Sequence, residues 1–181
     1  MLLTTSREPS DKIRTFCNDI AHSIPNVIRV NRGKLSLDGV AEKAIEIHAD
    51  HIVIIDRSKK RFANIRFFLT SVSGLVSFPP LINISSVRLR REFEVRTKPI
   101  KSLAITVPSE NYSVVRMLVH SIGDFFGIPI VSQDEFSSFS AAMRISSSGL
   151  GRFQITFVLL PSLVEIGPRI EVSRVVWEEP E

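Results

Sequence analysis

The sequence predicts an α/β fold made of two tandem, similar halves, each a mixed sheet covered by helices. Two observations carry this prediction. Short runs rich in β-branched residues alternate with longer stretches whose apolar residues recur every three or four positions, which is the pattern of alternating strands and helices. The same order of strand, helix and strand then begins again after Pro99. We therefore divide the chain into an N-terminal half, residues 1–98, and a C-terminal half, residues 99–181.

The first half opens with a short buried strand, MLLTTS, and continues into an amphipathic helix with one apolar stripe. Pro9 or Ser10 would start this helix, because proline loses nothing in a first turn and serine can cap free amides. A strand follows at residues 27–30, and Ser36 would cap a second helix that runs to His48. The apolar face of the second helix contains Leu37, Val40, Ala41, Ala44, Ile45 and His48.

The rest of the first half begins with HIVIIDR, residues 51–57, whose β-branched run predicts a central strand. A charged turn, SKKRFAN, leads into the strand-like IRFFLTS. A passage punctuated by glycine and proline then leads through LINISSV to a basic segment. In that segment, RLRR, residues 88–91, charged residues alternate with the apolar Leu89, which is typical of a strand with one solvent-exposed face.

The second half repeats the opening order with the strand SLAITV, a helix and the strand IPIV. Gly127 is a plausible cap at the C-terminus of the helix. The remainder contains GLG, residues 149–151, between strand-like runs, which indicates a hairpin turn within an antiparallel meander. The helix is predicted to bury Val114, Val115, Leu118, Val119, Ile122 and Phe126.

Several function classes find no support in the sequence. Cys17 is the only cysteine, which excludes an intrachain disulfide and a Cys-rich zinc site and indicates a core thiol. The four histidines lack metal-ligand spacing, and no nucleotide-binding or hydrolase motif is present. No apolar run reaches the roughly 20 residues of a membrane span, and no signal peptide opens the chain. We expect a soluble, cytoplasmic protein that is not an enzyme and has no metal or cofactor.

The charge is distributed unevenly between the two halves. The first half has 17 Lys and Arg against 10 Asp and Glu, whereas the second has 6 against 9, in agreement with the net charge of +4. Such asymmetry suggests a polyanionic partner for the first half. A basic surface that is simply solvated is the alternative.

Basic residues follow each of the first three predicted strands. If these strands are parallel neighbours, the clusters meet at one edge of the sheet, together with the helix N-termini at Ser10 and Ser36, which favour phosphate. Gly33 could adopt a positive φ angle or let the backbone approach a phosphate, although an ordinary turn would also explain it. The predicted RNA-binding residues here are Arg7, Arg29, Asn31, Arg32, Gly33, Lys34, Arg57, Lys59, Lys60 and Arg61.

The later basic segment contains Arg88, Arg90 and Arg91. These arginines could extend the phosphate-binding surface. They could instead protect an exposed edge strand, because charge discourages edge-to-edge pairing.

Four segments, LLTTSREPS, IRVNRGKLSL, ADHIVIIDR and VEIGPRIEV, resemble in order the Brix-domain family of ribosome-biogenesis proteins, especially compact archaeal members related to the eukaryotic small-subunit processing factor. The resemblance implies two halves that are each like the anticodon-binding domain of class IIa aminoacyl-tRNA synthetases. It also implies binding to precursor ribosomal RNA, with assembly factors or ribosomal proteins as partners, and no catalysis. The family motifs fall on residues 4–7, 31–34 and 167–169, which adds Arg169 to the RNA-binding set; Ile170 stands where an aromatic residue often follows.

Two hypotheses follow. The first is a non-enzymatic assembly factor that holds precursor ribosomal RNA through phosphate contacts of the first half and Arg169, and leaves the net-acidic second half for a protein partner. The second is a protein-interaction adaptor in a pre-ribosomal complex that does not contact RNA. The sequence predicts no oligomeric state.

Overall fold

A computed structural model describes residues 1–106, 113–149 and 151–177 of the chain. The described strands form one ten-stranded sheet in the order β2-β1-β3-β4-β5-β10-β9-β8-β6-β7. The strands are β1 Leu2–Thr5, β2 Ile28–Arg29, β3 His51–Arg57, β4 Ala63–Ser71, β5 Gly74–Arg88, β6 Leu103–Thr106, β7 Ile130–Val131, β8 Ala141–Gly149, β9 Arg152–Leu159 and β10 Arg169–Val176. The helices are α1 Asp11–Ser23, α2 Leu37–Glu46 and α3 Ser113–Phe126, and two short 3₁₀ segments span Arg90–Glu92 and Gln133–Ser138.

The strand pairing is the same from either end of the sheet to its middle. β1 runs parallel to β2 and β3, as β6 runs parallel to β7 and β8. The remaining neighbours are antiparallel, and β5 pairs with β10 at the centre. As a result β1, β2, β3 and β5 end at one edge of the sheet, whereas β6 and β7 end at the opposite edge.

Helices α1 and α3 lie on the same face of the sheet, where they share one hydrophobic core with strands from both halves. α1 begins after Ser10, whose hydroxyl accepts a hydrogen bond from the Ile13 amide at 3.3 Å, and Cys17 is buried as predicted. α2 packs on the other face, above a smaller cluster that contains Leu2, Val40, Ala44, Ala49, Ile52, Ile54 and Phe68. In the second half the segment that follows β7 is only the 3₁₀ turn Gln133–Ser138.

Two helices differ in detail from the sequence prediction. α2 ends at Glu46, because His48 adopts a positive φ of 54° and the Ala49 amide closes the turn on the Ala44 carbonyl. Ile45, predicted on the buried face, is 61% exposed. In α3 Val114 is 38% exposed and Phe125 is buried instead, since the sheet contacts a slightly rotated stripe of that helix.

The passage with glycine and proline forms, together with LINISSV, the long strand β5. Its prolines, Pro79 and Pro80, lie where the pairing with β4 is interrupted, between Phe78 and Ile82, and the pairing with β10 begins just after them at Leu81. RLRR is not a continuous strand: β5 ends at Arg88 and a 3₁₀ turn begins at Arg90. The edge-strand interpretation was also wrong, because β5 is a central strand with neighbours on both sides.

β8 ends at Gly149 and β9 begins at Arg152, and the two strands pair antiparallel, which confirms the hairpin; Leu150, the middle residue of GLG, lies outside the described residues. β8, β9 and β10 form the expected antiparallel meander. Among the described residues, no helix is long and apolar enough to cross a membrane. Those residues also contain no cluster of three or more His, Cys, Asp or Glu that could hold a metal ion.

Candidate nucleic-acid interface

The parallel pairing of β1, β2 and β3 brings the three basic clusters to one edge of the sheet, as the sequence predicted. The loops at this edge are tied together, since the Ser6 amide donates to the Ile55 carbonyl at 3.0 Å and the Arg57 amide donates to the Ser6 hydroxyl at 3.3 Å. We call this surface the basic edge. It consists of Arg7, Arg14, Arg29, Asn31, Arg32, Gly33, Lys34, Arg57, Lys59, Lys60 and Arg61.

Two adjoining clefts run along the basic edge, with volumes of about 410 and 640 Å³. Arg7 lines both clefts and therefore joins them. The first is lined by Thr5, Arg7, Pro9, Arg14, Arg29, Asn31, Arg32 and Gly33, and the second by Ser6, Arg7, Glu8, Arg57, Ser58 and Lys59. Arg14, which the sequence analysis did not include, reaches the first cleft from α1; its position one turn after the cap could have indicated this.

The loop around Gly33 is stabilised by hydrogen bonds between its own residues. Gly33 has a φ of +51°, and the loop closes through the Leu35 amide, which donates to the Arg32 carbonyl at 3.0 Å. The Arg32 Nε donates in return to the Leu35 carbonyl at 2.8 Å, and this side chain is only 7% exposed. Burial, and then the nearby charge of Arg7, lowers the pKa of Arg32. Arg32 therefore stabilises the loop, whereas the exposed Lys34 offers its charge to solvent.

Arg29 is oriented by two amide side chains. Its Nη1 donates to Asn18 Oδ1 at 2.6 Å, and its Nη2 donates to Asn31 Oδ1 at 3.0 Å. Behind it, burial raises the pKa of the Cys17 thiol to about 11, although the charge of Arg29 acts to lower it. Asn31 thus positions Arg29, and Cys17 is a protonated core thiol at neutral pH.

The helix N-termini at this edge are already partly satisfied. The hydroxyls of Ser10 and Ser36 accept hydrogen bonds from Ile13 and Gly39, and Asp11 and Asp38 occupy the first turns of α1 and α2. These carboxylates complement the positive ends of the helix dipoles. The exposed cationic side chains therefore dominate the attraction of an anion here.

A second group of predicted residues lies where β5 ends and β10 begins. Arg88 and Arg169 are direct partners in the sheet, and the Phe93 ring lies beside both guanidinium groups, 4.3 Å from that of Arg88 and 5.9 Å from that of Arg169. Arg169 also forms a two-pronged ion pair with Glu165, whose hydrogen bonds raise the pKa of the arginine. Arg88 is exposed, and Arg169 is half-buried.

Arg90 has structural partners. Its amide donates to Asp19 Oδ2 at 2.9 Å and its guanidinium donates to Thr97 Oγ1 at 2.9 Å. Its Nε is buried without a hydrogen-bond partner, and burial lowers the pKa of this arginine. Arg90 therefore joins the 3₁₀ turn to α1 and to the segment that leads into β6. Its neighbour Arg91 is exposed.

No family model matches the chain. A probable Brix domain-containing ribosomal biogenesis protein of Pyrobaculum aerophilum is 33% identical over 139 residues, which are 72% of this chain and 70% of that protein. The chain belongs to the Brix-domain family.

Two further comparisons agree with this membership. The Brix-domain chain superposes on the crystal structure of a probable ribosomal biogenesis protein from Aeropyrum pernix with a TM-score of 0.79 and 22% identity, over 99% of this chain and 96% of that one. A shorter match links it to a U3 small nucleolar ribonucleoprotein protein, imp4, of Schizosaccharomyces pombe, with 38% identity over 55 residues, which are 30% of this chain and 19% of that protein.

The three segments that resemble Brix-family motifs lie at one edge of the sheet. The opening motif ends β1, where the Thr4 hydroxyl donates to the Val30 carbonyl at 2.8 Å, and the basic glycine motif follows β2. The late motif, residues 167–169, enters β10 at the same edge. The motifs are far apart in sequence, and the sheet topology is what brings them to one side of the molecule.

Proposed function

We propose that this Brix-domain protein is a non-enzymatic ribosome-biogenesis factor that binds precursor ribosomal RNA through its basic edge. One observation carries the proposal: exposed cations from different strand ends, Arg7, Arg57 and Lys59, line one cleft. No ion pair among the described residues neutralises these three side chains. An unpaired basic cleft is the electrostatic footprint of a polyanion-binding surface.

The proposed contacts are mainly to phosphate. Arginine can donate two parallel hydrogen bonds to a phosphate, and lysine contributes a compact charge. Phe62 is half-buried, packs edge-on against Phe16 and has the Lys12 ammonium over its ring, 5.4 Å from the ring centre. The expected binding is therefore governed by RNA backbone and shape and depends strongly on salt.

The relatives support the biological setting. Their names describe ribosomal biogenesis proteins and a protein of a small nucleolar ribonucleoprotein, so we assign this chain to pre-ribosomal assembly, with assembly factors or ribosomal proteins as partners. We further propose that residues 1–98 and 99–181 are related repeats of the anticodon-binding type. The identical strand pairing on both sides of β5 and β10 supports this relationship.

The test is RNA affinity as a function of salt for a structured ribosomal RNA fragment. In the edge variant, Arg7→Gln/Arg57→Gln/Lys59→Gln, we expect weaker binding and a log–log salt slope flatter by about 2–3, at roughly 0.7–0.9 for each phosphate that is no longer neutralised. A matched control, Arg96→Gln/Lys101→Gln/Arg116→Gln, removes the same charge from exposed positions outside the basic edge. It should keep the native slope.

A native protein that binds the fragment negligibly would overturn the proposal and favour an adaptor that reaches the ribosome through a protein partner. Equal slopes for the edge variant and the control would show that binding depends on overall charge and would remove the basic edge from the proposal.

A further inference from the structure

The sheet has a second polar surface, on the face opposite α1 and α3. On β5, β10, β9 and β8, residues that alternate with core residues point away from both helices. α2 covers only β1, β3, β4 and the start of β5 on this side. We call the remaining area the open face. Its members are Ser86, Arg88, Arg144, Ser146, Arg152, Gln154, Thr156, Arg169, Glu171 and Arg174.

The strand register places arginines at both ends of the open face. At one end Arg88 pairs with Arg169, and two strands further Arg144 pairs with Thr156. At the other end Arg174 pairs with Asn83, and Arg152 follows the hairpin opposite Gly149. With strands about 4.8 Å apart and residues about 3.3 Å apart, this area measures roughly 15 Å in each direction.

A polar row with one carboxylate, that of Glu171, separates these arginines. Ser86, Glu171, Gln154 and Ser146 are consecutive cross-strand neighbours, and the Gln154 amide donates to Glu171 Oε1 at 2.6 Å. The second acid near this surface, Glu165, is bound to Arg169. By contrast, Arg144, Arg152 and Arg174 are exposed and have no ion pair among the described residues.

The second half is net acidic, but its basic residues are concentrated on one surface. Four of its six basic residues, Arg144, Arg152, Arg169 and Arg174, lie on the open face. We propose that the open face binds the phosphate backbone of base-paired RNA, a proposal that rests on the RNA-binding function assigned above. The composition alone predicts a protein partner for this half.

The chemistry of the surface favours a duplex. Sheets that bind single strands stack bases on exposed aromatic rings, and the residues of the open face include none. A duplex presents its backbone and buries its base faces, so it is recognised through phosphates and shape. Arg88 and Arg169 lie at the edge where the Brix motifs meet, so the open face adjoins the same side of the sheet as the basic edge.

The test compares a blunt RNA duplex with a single strand of the same length, for the native protein, the edge variant and a face variant, Arg144→Gln/Arg152→Gln/Arg174→Gln. We expect the face variant to flatten the duplex salt slope by about 2–3 and to leave single-strand binding near native. Melting temperatures confirm folding, and Arg144→Gln alone should flatten the slope by about 0.7–0.9.

The inference is overturned if the face variant behaves like the control Arg96→Gln/Lys101→Gln/Arg116→Gln while the edge variant loses affinity. In that case RNA binding by the basic edge is retained, and the open face is available to a protein partner instead of RNA. If the face variant loses duplex affinity and the edge variant does not, the basic edge fails and the open face remains. Negligible RNA binding by the native protein overturns both.

Discussion

Gly167 shows how a single residue sets the position of a predicted RNA contact. Its φ is +67°, and a Cβ built there would lie 2.5 Å from the ring of Phe93 and 3.2 Å from the Arg90 Cα. The same ring lies beside the guanidinium groups of Arg88 and Arg169. The late Brix motif therefore needs glycine both for its backbone angle and for the close approach of an aromatic ring.

We expect Gly167→Ala to lower the free energy of unfolding by about 2–5 kcal/mol, from a left-handed backbone and an overpacked contact. Gly33→Ala is the matched control, because Gly33 also has a positive φ but nothing lies within 4 Å of its added Cβ. Its cost should be only about 1–2 kcal/mol. Denaturant unfolding measures both; equal costs would show that the close approach of Phe93 carries no energy.

At the level of single residues the sequence predicted the cations of the basic edge except Arg14, but not what each one does. Arg32 and Lys34 are both cations that flank Gly33 in the sequence, yet Arg32 is buried against its own loop and Lys34 is exposed. Likewise the Arg90 amide donates to Asp19, which is distant in sequence, and its guanidinium donates to Thr97. Such roles depend on tertiary contacts, and periodicity carries no information about them.

At the scale of elements, the segment between the halves is fastened to α1. The Thr97 carbonyl lies 2.9 Å from His22 Nε2, and the Ile100 amide donates to the His22 carbonyl at 3.0 Å. Burial, followed by the nearby positive charge of Arg90, lowers the pKa of His22. The fold therefore favours the neutral imidazole at this junction.

This shift predicts a pH dependence of stability. Because the folded pKa lies below the ordinary value of about 6.5, the stabilisation is complete above that pH and is lost as the pH falls through the folded pKa. We expect His22→Gln to reduce the loss of stability between about pH 7 and pH 5. Thermal unfolding across this range measures it, with exposed His120→Gln as the control; Asp19 and Arg90 are retained in both variants.

A His22→Gln variant with the same pH slope as the native protein would contradict this assignment. The absolute stability of the variant is a weaker readout, since the substitution also removes the hydrogen bond with Thr97. The comparison therefore uses the slope.

Elements with strong periodicity were predicted well, because a helix stripe or a β-branched run is a local signal. α1 and β3 follow the prediction closely, and serines cap α1 and α2 as expected. The sequence did not identify β5 as one strand, because Pro79 and Pro80 are unusual within a strand; they lie where the pairing with β4 is interrupted, between Phe78 and Ile82. The pairing of β5 with β10, which is distant in sequence, begins just beyond them at Leu81.

At the scale of the whole molecule, the two sequence halves share one sheet and one main core. Phe125 of α3 contacts Phe67 of β4 and Phe78 of β5, with ring centres 4.8 and 5.2 Å apart. The ring of His51 lies 5.0 Å away at a steep angle. An aromatic residue of the second half thus packs among strands of the first, which a division of the chain at residue 98 does not convey.

This packing predicts that the molecule unfolds as one cooperative unit and that Phe125→Ala destabilises all of it. We expect a loss of about 3–5 kcal/mol, as for other buried phenylalanines, whereas Ile45→Ala at an exposed position of α2 should change little. Denaturant unfolding should be followed by far-UV circular dichroism and by the fluorescence of Trp177, the single tryptophan, just beyond β10. Coincident transitions that shift together in Phe125→Ala indicate one unit. If the fluorescence transition alone moves, the halves unfold separately and the aromatic packing between them does not couple their stabilities.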